Sequence, residues 1–473
     1  MSDRQDQLIA ALRERLGPKA VIGDQGDIAP WLTDWRGRYH GSARAILAPA
    51  STEEVAAIVG LAAQHGVPLV PQGGNTGMCG GATPPEDGSA LLLSLRRMNR
   101  LRSISAADRL AVAEAGMILA DLHDRAAEVG CRFPLTLGAR GSATIGGLIA
   151  TNAGGTQVLR FGTMRSLVAG VEAVLPDGSI HNGLAALKKD NRGYNLDHLL
   201  IGSEGTIGIV TAASLKLAPA VRARTAAWVG VTDPQHALDL LRFLEQRTDA
   251  VEGFEIIPQE TLALVLQHIH GTRSPLGGNH RWHLLVEATT SDDGDELRGQ
   301  IETWLGEAME SGLIEDAAIA ANEAQAEAFW RMRDSIAEAE RAHGASLAHD
   351  ISVPVGDMPR FIMEAGAAVE KAFPGTRVGA FGHLGDGNVH FHVQVRDTRD
   401  GWVWNNEQGQ AITRMVYDLV SAAGGSISAE HGIGQAKVEE FERLAPPARI
   451  AAVRAIKHAL DPLNIMNPGK LVR

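Results

Sequence analysis

The sequence predicts an α+β fold in two unlike parts: a glycine-rich amino half of short strands and turns, and a carboxyl half built on an antiparallel sheet with helices on one face. Three observations carry this. A β-α-β-loop unit opens the first part, glycines cluster beside its strands, and the texture changes after Pro219 to longer strands alternating with helices. The expected segments are a helical lead-in over 1–40, a first domain over 41–219, a second over 220–425, and a closing segment over 426–473. In the opening unit, Ala45-Ile46-Leu47-Ala48 reads as a strand and Ser51-Thr52-Glu53-Glu54 has the spacing of a capping box. Val55, Ile58, Val59 and Ala62 then recur at helical spacing until Gly66, and 67–70 forms a second strand. Ala169 to Leu175 runs into Asp177-Gly178, a hairpin signal, and 206–217 reads as another strand. Beyond 220, strands are expected at 228–231, 253–257 and 282–287, with a pair near 377–395. Helices are expected near 235–247, 295–310, 322–343, 407–423 and 435–460.

Composition narrows the function classes. The 473 residues carry 44 Lys plus Arg against 56 Asp plus Glu, a net charge of −12, which makes the chain a poor partner for nucleic acid or anionic lipid. Two cysteines, Cys79 and Cys131, are too few for a disulfide framework or a four-thiolate metal site. The polar amino terminus lacks a signal-peptide pattern, and no apolar run is long enough to span a bilayer. A soluble, cytoplasmic protein is therefore expected.

The 53 glycines amount to about 11% of the chain, against roughly 7% in average usage. They concentrate in four loops beside predicted strands: 71–81, 141–147, 151–155 and 202–208. Such loops expose consecutive backbone N–H groups that can bind phosphate oxygens without a lysine. The Rossmann fingerprint and the phosphate-binding loop ending in Gly-Lys-Ser/Thr are both absent, which argues against a nicotinamide-type site. One long ligand lying across several loops accounts for four clusters better than four independent turns do, and FAD has that shape.

A second constellation lies near the other end. His383 and His390 flank the turn Gly385-Asp386-Gly387-Asn388, and in the alternating run Val389-His390-Phe391-His392-Val393 two histidines face the same way. Glu430-His431 could add a carboxylate and an imidazole. Two His and one carboxylate suit zinc, with manganese as the alternative, and leave positions open for substrate oxygens.

On the motifs Pro71-Gln72-Gly73-Gly74-Asn75-Thr76-Gly77, Ala153-Gly154-Gly155, Gly202-Ser203-Glu204-Gly205-Thr206, 382–388 and Ser428-Ala429-Glu430-His431-Gly432, the sequence resembles the FAD-binding flavoproteins of the vanillyl-alcohol oxidase superfamily. It is most similar to their D-2-hydroxyacid dehydrogenase branch, which includes D-2-hydroxyglutarate and D-lactate dehydrogenases. The resemblance implies a two-subdomain FAD-binding domain of the vanillyl-alcohol oxidase type and an antiparallel-sheet cap domain. It implies an FAD site drawn from Pro71, Gln72, Gly73, Gly74, Asn75, Thr76, Gly77, Gly141, Ser142, Thr144, Gly146, Gly147, Asn152, Gly154, Glu204, Gly205, Ile209 and Asn467. No histidine lies in 71–81, so the flavin is expected to be non-covalent.

The resemblance also places His383, His390 and Glu430 as ligands of a divalent metal, His431 as general base, and Arg333 and His392 at the substrate. The implied reaction is oxidation of a D-2-hydroxy acid to the 2-oxo acid by hydride transfer to flavin N5. Electrons would pass on to an electron-transfer flavoprotein, a quinone or a cytochrome, and a homodimer is among the expected assemblies. A flavin oxidase of the same superfamily acting on another alcohol or sugar is the alternative. Three positions depart from the 2-hydroxyglutarate pattern: Ala337 stands for a hydroxyl residue, Ala348 for a lysine and His392 for an asparagine. The loss weakens the case for a five-carbon diacid, and a monocarboxylate or a differently polar 2-hydroxy acid remains open.

Overall fold

The computed structural model describes residues 2–292, 294–395 and 401–473. It divides into two units, one of Met1–Gly155, Gly162–Ala220 and Glu430–Arg473, the other of Thr156–Phe161 and Val221–Ala429. The short piece Thr156–Phe161, which the sequence reading runs into the first domain, groups with the second because Arg160 ion-pairs with Glu252 at 2.7 Å.

Among the described residues the first unit holds two larger sheets and a two-stranded pair, Cys131–Arg132 with Ala218–Pro219. In the four-stranded sheet, Ile46–Leu47 and Leu69–Gln72 flank Leu91–Ser94 in parallel, and Val21–Ile22 adds an antiparallel edge. Helix Thr52–His65 begins where Ser51 Oγ accepts the Glu54 N–H, and it buries Val55, Ile58, Val59 and Ala62, the stripe legible in the sequence. Leu8 and Leu12 of the amino-terminal helix Ser2–Leu16 join the same core, so the lead-in is part of this unit. The second sheet is antiparallel, in the order Leu101–Ser105, Leu110–Glu114, Ile209–Lys216, Val168–Val174, Ile180–Asn182. The expected helix over 435–460 is two helices, Val438–Leu444 and Pro447–Leu460. The break falls at Pro446-Pro447, because proline withholds the N–H that would continue the first helix.

The second unit is built on a seven-stranded antiparallel sheet. Its order is Asp316–Ile319, Ala223–Val231, Trp282–Thr290, Val251–Pro258, Thr376–His383, Asn388–Val395, Ser346–Ser352. The last of these strands and helix Gln259–His268 lie outside the elements read from sequence. Helices Gln259–His268, Glu323–Asp334 and Ile336–His343 bury Trp228, Ile257, Phe329, Met332, Ile336 and Phe381 against one face. The opposite face is covered as well: Phe391 meets Phe361 of helix Met358–Ala372, ring centroids 6.1 Å apart. Among the described residues no helix is long and apolar enough to cross a membrane.

One buried histidine makes this unit acid-sensitive. His283 accepts from Trp228 Nε1 at 3.1 Å through Nδ1 and donates to Gln259 Oε1 at 2.6 Å, so the ring is held neutral. Burial, reinforced by His280 and opposed by Glu315, lowers its pKa to about 4. The unfolded chain takes up this proton near pH 6.5 and the folded one does not. The contribution is therefore complete above that value and is lost as pH falls toward 4, up to about 3 kcal/mol. In urea unfolding followed by circular dichroism, the wild-type midpoint should fall more between pH 7 and 5 than that of His283→Asn. Equal falls would refute the assignment.

Candidate functional site

Within the first unit the four glycine loops converge. A Cβ on Gly73 would lie 2.1 Å from Thr144 Oγ1 and one on Gly74 1.9 Å from Ser142 O, so only glycine lets the 71–77 loop lie flat on the 141–147 loop. Gly205 lies against the Pro71 ring in the same way. Glu204 N donates to Ala150 O at 2.8 Å, tying the 202–208 loop to helix Ile145–Ala150. That helix starts inside the second glycine cluster, 141–147, with Thr144 at its N-cap, where the sequence pattern suggests only a loop. Asn467 closes the ring by donating through Nδ2 to Gly81 O at 3.0 Å and Glu204 O at 2.7 Å.

Several features mark this convergence as a ligand cradle. Four of the eight non-glycine residues with positive φ among the described residues are expected cofactor residues: Asn75, Asn152, Glu204 and Asn467. Backbone strain of this kind concentrates at ligand sites. The buried atoms Thr144 Oγ1, Gln72 Oε1 and Asn467 Oδ1 have no hydrogen-bond partner among the described residues, and an isoalloxazine or phosphate edge could satisfy such groups. These orphans and the closely packed glycines fit FAD. Other expected residues serve the scaffold through their side chains. Gln72 Nε2 donates to Trp31 O and Ala82 O, both at 3.0 Å. Asn152 Oδ1 accepts from Thr163 Oγ1 and Arg165 N, and the Ile209 side chain sits in the core.

Glu430 and His431 open the carboxyl-terminal segment of this unit, and the residues after them are clamped. The buried Glu204 carboxyl accepts from Ile433 N at 2.8 Å and Gly434 N at 2.7 Å, while Gln435 N donates to Cys79 O at 2.9 Å. Burial pushes the Glu204 pKa up, against those two N–H groups and the charges of Lys437 and Lys470. Lys470 is itself lowered to about 8 by burial, with Glu204 opposing. The segment carrying the expected base is thus fixed beside the first glycine loop, and the Glu204 side chain does the fixing.

In the second unit one sheet face gathers the histidines. His383 and His390 have ring centroids 5.4 Å apart, and His390 and His392 are 6.4 Å apart. Strand register explains the gathering: His390 pairs with Asp350 and Phe381, His392 with Ala348 and Gly379, and His383 with Glu255. Glu255 is fully buried and central. It accepts from His383 Nδ1 at 2.5 Å and from Arg333 Nε at 2.8 Å. Burial alone would raise its pKa, but Arg333 and His383 outweigh it and hold the carboxyl at about 2. An ionised carboxylate can only accept, so Nδ1 carries the His383 proton and Nε2 keeps its lone pair, which accepts from Arg333 Nη2 at 3.3 Å. This is the arrangement by which a carboxylate orients a metal-ligating imidazole. Sequence reasoning missed Glu255, whose signal is a lone carboxyl in the apolar run Gly253-Phe254-Glu255-Ile256-Ile257. It also missed Glu340, which accepts a hydrogen bond from His392 Nδ1 at 2.5 Å.

Comparison with known proteins gives the site its family. Residues 43–183 match the FAD binding domain model, and residues 220–471 match the model of the C-terminal domain of FAD linked oxidases. The D-2-hydroxyglutarate dehydrogenase, mitochondrial, of Arabidopsis thaliana is 35% identical over 98% of this chain and 81% of the relative. The D-2-hydroxyglutarate dehydrogenase of Xanthomonas citri pv. viticola is 36% identical over 98% and 97%. In fold, the chain is similar to the crystal structure of p-cresol methylhydroxylase, with TM-score 0.76 and 16% identity over 99% of this chain and 97% of that one. The chain belongs to the FAD-linked D-2-hydroxyacid dehydrogenases, flavoenzymes of the vanillyl-alcohol oxidase fold.

Proposed function

We propose that this enzyme oxidises a D-2-hydroxy acid to the 2-oxo acid using non-covalent FAD and a divalent metal, with His431 as the general base. The observation that carries the reading is the Glu255-oriented His383 beside His390 on one sheet face, in a chain whose relatives are named for D-2-hydroxyglutarate oxidation. The cradle of 71–77, 141–147, 152–154, 204–205 and Asn467 would hold FAD, which supplies the acceptor for the two electrons leaving the substrate. His383 and His390, with Glu430 as the third ligand implied by the resemblance, would hold zinc or manganese, which acts as a Lewis acid on the substrate hydroxyl when bound.

The chain's own residues do the rest. An alcohol hydroxyl is too weak an acid to ionise unaided, so a base must take its proton as the C2 hydrogen leaves with its electron pair. His431 is assigned that proton, and the clamp on 432–434 keeps its loop from wandering. Arg333 is assigned to a second carboxylate of the substrate through its guanidinium edge, with Nε already fixed on Glu255. The two electrons then leave for an external acceptor, for which an electron-transfer flavoprotein, a quinone or a cytochrome is proposed. Placement in the cytoplasm rests on composition.

Two variants test the assignment. His431→Ala should retain flavin and metal but slow anaerobic flavin reduction by at least about a hundredfold, the usual size of base catalysis. Near-normal reduction in a stopped-flow trace would remove the role. His390→Ala should lose most of its metal by elemental analysis while keeping the flavin absorbance band. Unchanged metal content would overturn the ligand set, and the wild-type analysis decides between zinc and manganese.

A further inference from the structure

Resting on the assignment of FAD to the glycine cradle, we infer that Arg96 supplies the positive charge at the phosphate end of that cradle and grips the cofactor's pyrophosphate. Strands Leu69–Gln72 and Leu91–Ser94 run parallel with Gln72 opposite Ser94, so the chain leaves both at the same sheet edge. Ligands of parallel sheets bind outside the carboxyl ends of the strands. One strand continues as the 71–77 loop and the other as Leu95-Arg96, and Leu95 N donates to Gln72 O at 3.2 Å to keep them together. The backbone N–H groups of Gly73, Gly74, Asn75, Thr76 and Gly77 have no acceptor among the described residues. A run of N–H groups that the protein leaves unused is an anion nest.

The Arg96 side chain stands on this nest. Its guanidinium lies over the Trp31 ring, 4.2 Å from the centroid, and Nε donates to Gly73 O in a long bond of 3.4 Å. Trp31 O in turn accepts from Gln72 Nε2 at 3.0 Å, so the stack and the loop are one assembly. The terminal nitrogens Nη1 and Nη2 have no partner among the described residues, and they form the fork that matches a phosphate. Charge explains the need for it. The chain carries −12 overall, and none of the loops 71–81, 141–147, 151–155 and 202–208 contains a Lys or Arg, while the last brings Glu204. Backbone dipoles orient two phosphate charges but do not neutralise them. Neighbouring cations are committed elsewhere: Arg97 Nη1 donates to Ala48 O at 2.6 Å, and Lys457 pairs with Asp461. The rival is Arg140, exposed and just before the second loop, but no contact of its guanidinium fixes it on a glycine loop.

The test titrates the full-length protein, freed of flavin, with FAD at low and at high salt, and reads the dissociation constant from flavin fluorescence. Arg96→Gln removes the charge while keeping a donor for Gly73 O. It should raise the FAD dissociation constant about tenfold or more at low salt, the scale of a charge-assisted bond to an anion. High salt should weaken FAD binding to the wild type more than to the variant, because the ionic contact is screened and the backbone bonds are not. Arg96→Lys, which restores the charge without the planar fork, should recover part of the affinity and of the salt dependence. Equal constants for wild type and Arg96→Gln would overturn the role. A loss of affinity that salt does not narrow would overturn it too, and would make Arg96 a support for the loop alone. So would a salt-sensitive loss in Arg140→Ala that is absent from Arg96→Gln. If the wild-type protein takes up no FAD at all, the flavin assignment falls first and takes this one with it.

Discussion

A buried carboxylate between two cationic or proton-donating partners is the constraint on which the second unit depends. Glu255 sits in the middle of a seven-stranded sheet, where an unpaired charge would be prohibitive. Its two oxygens are shared between Arg333 from a covering helix and His383 from the neighbouring strand, at 2.8 and 2.5 Å. Those two contacts set the His383 tautomer, lock the arginine side chain, and fix helix Glu323–Asp334 against the sheet. Removing any one member would strand the others in a low-dielectric interior, so the geometry of the histidine face is over-determined.

The first unit solves a comparable problem with Glu204. There the buried carboxyl is held by two backbone N–H groups rather than by side chains, and its partners lie 229 and 230 residues away. It therefore works as a staple between the glycine cradle and the carboxyl-terminal segment. The left-handed backbone at Glu204 and Asn467 is the conformational cost of that closure, and the hydrogen bonds of Asn467 to Gly81 and Glu204 carbonyls offset part of it. In both units the residues that hold the chemistry in place are carboxyls and amides on strands and loops far apart in sequence.

The histidine face is held by two separate carboxyls, Glu255 and Glu340. The pair His392–Glu340 lies on the same sheet face, with Ala348 and Gly379 beside it. Changing that corner need not disturb Glu255, because His392 and His383 answer to different carboxyls.

The sequence by itself determined what local periodicity and motif chemistry can encode. The capped helix Thr52–His65 with its buried stripe, the hairpin at Asp177-Gly178, the proximity of His383, His390 and His392, and the glycine loops beside strands all follow from spacings within a few residues. Tertiary structure decided everything that depends on non-local pairing. Strand Ser346–Ser352 was invisible because its place in the sheet is fixed by pairing with Asn388–Val395, not by its own mixed pattern. Glu255 and Glu340 look like ordinary acidic residues in sequence, and the motif around Glu204 gives no sign of its clamp on 433–434. Their roles arise only when burial removes water and a partner tens or hundreds of residues away becomes the sole way to satisfy the charge.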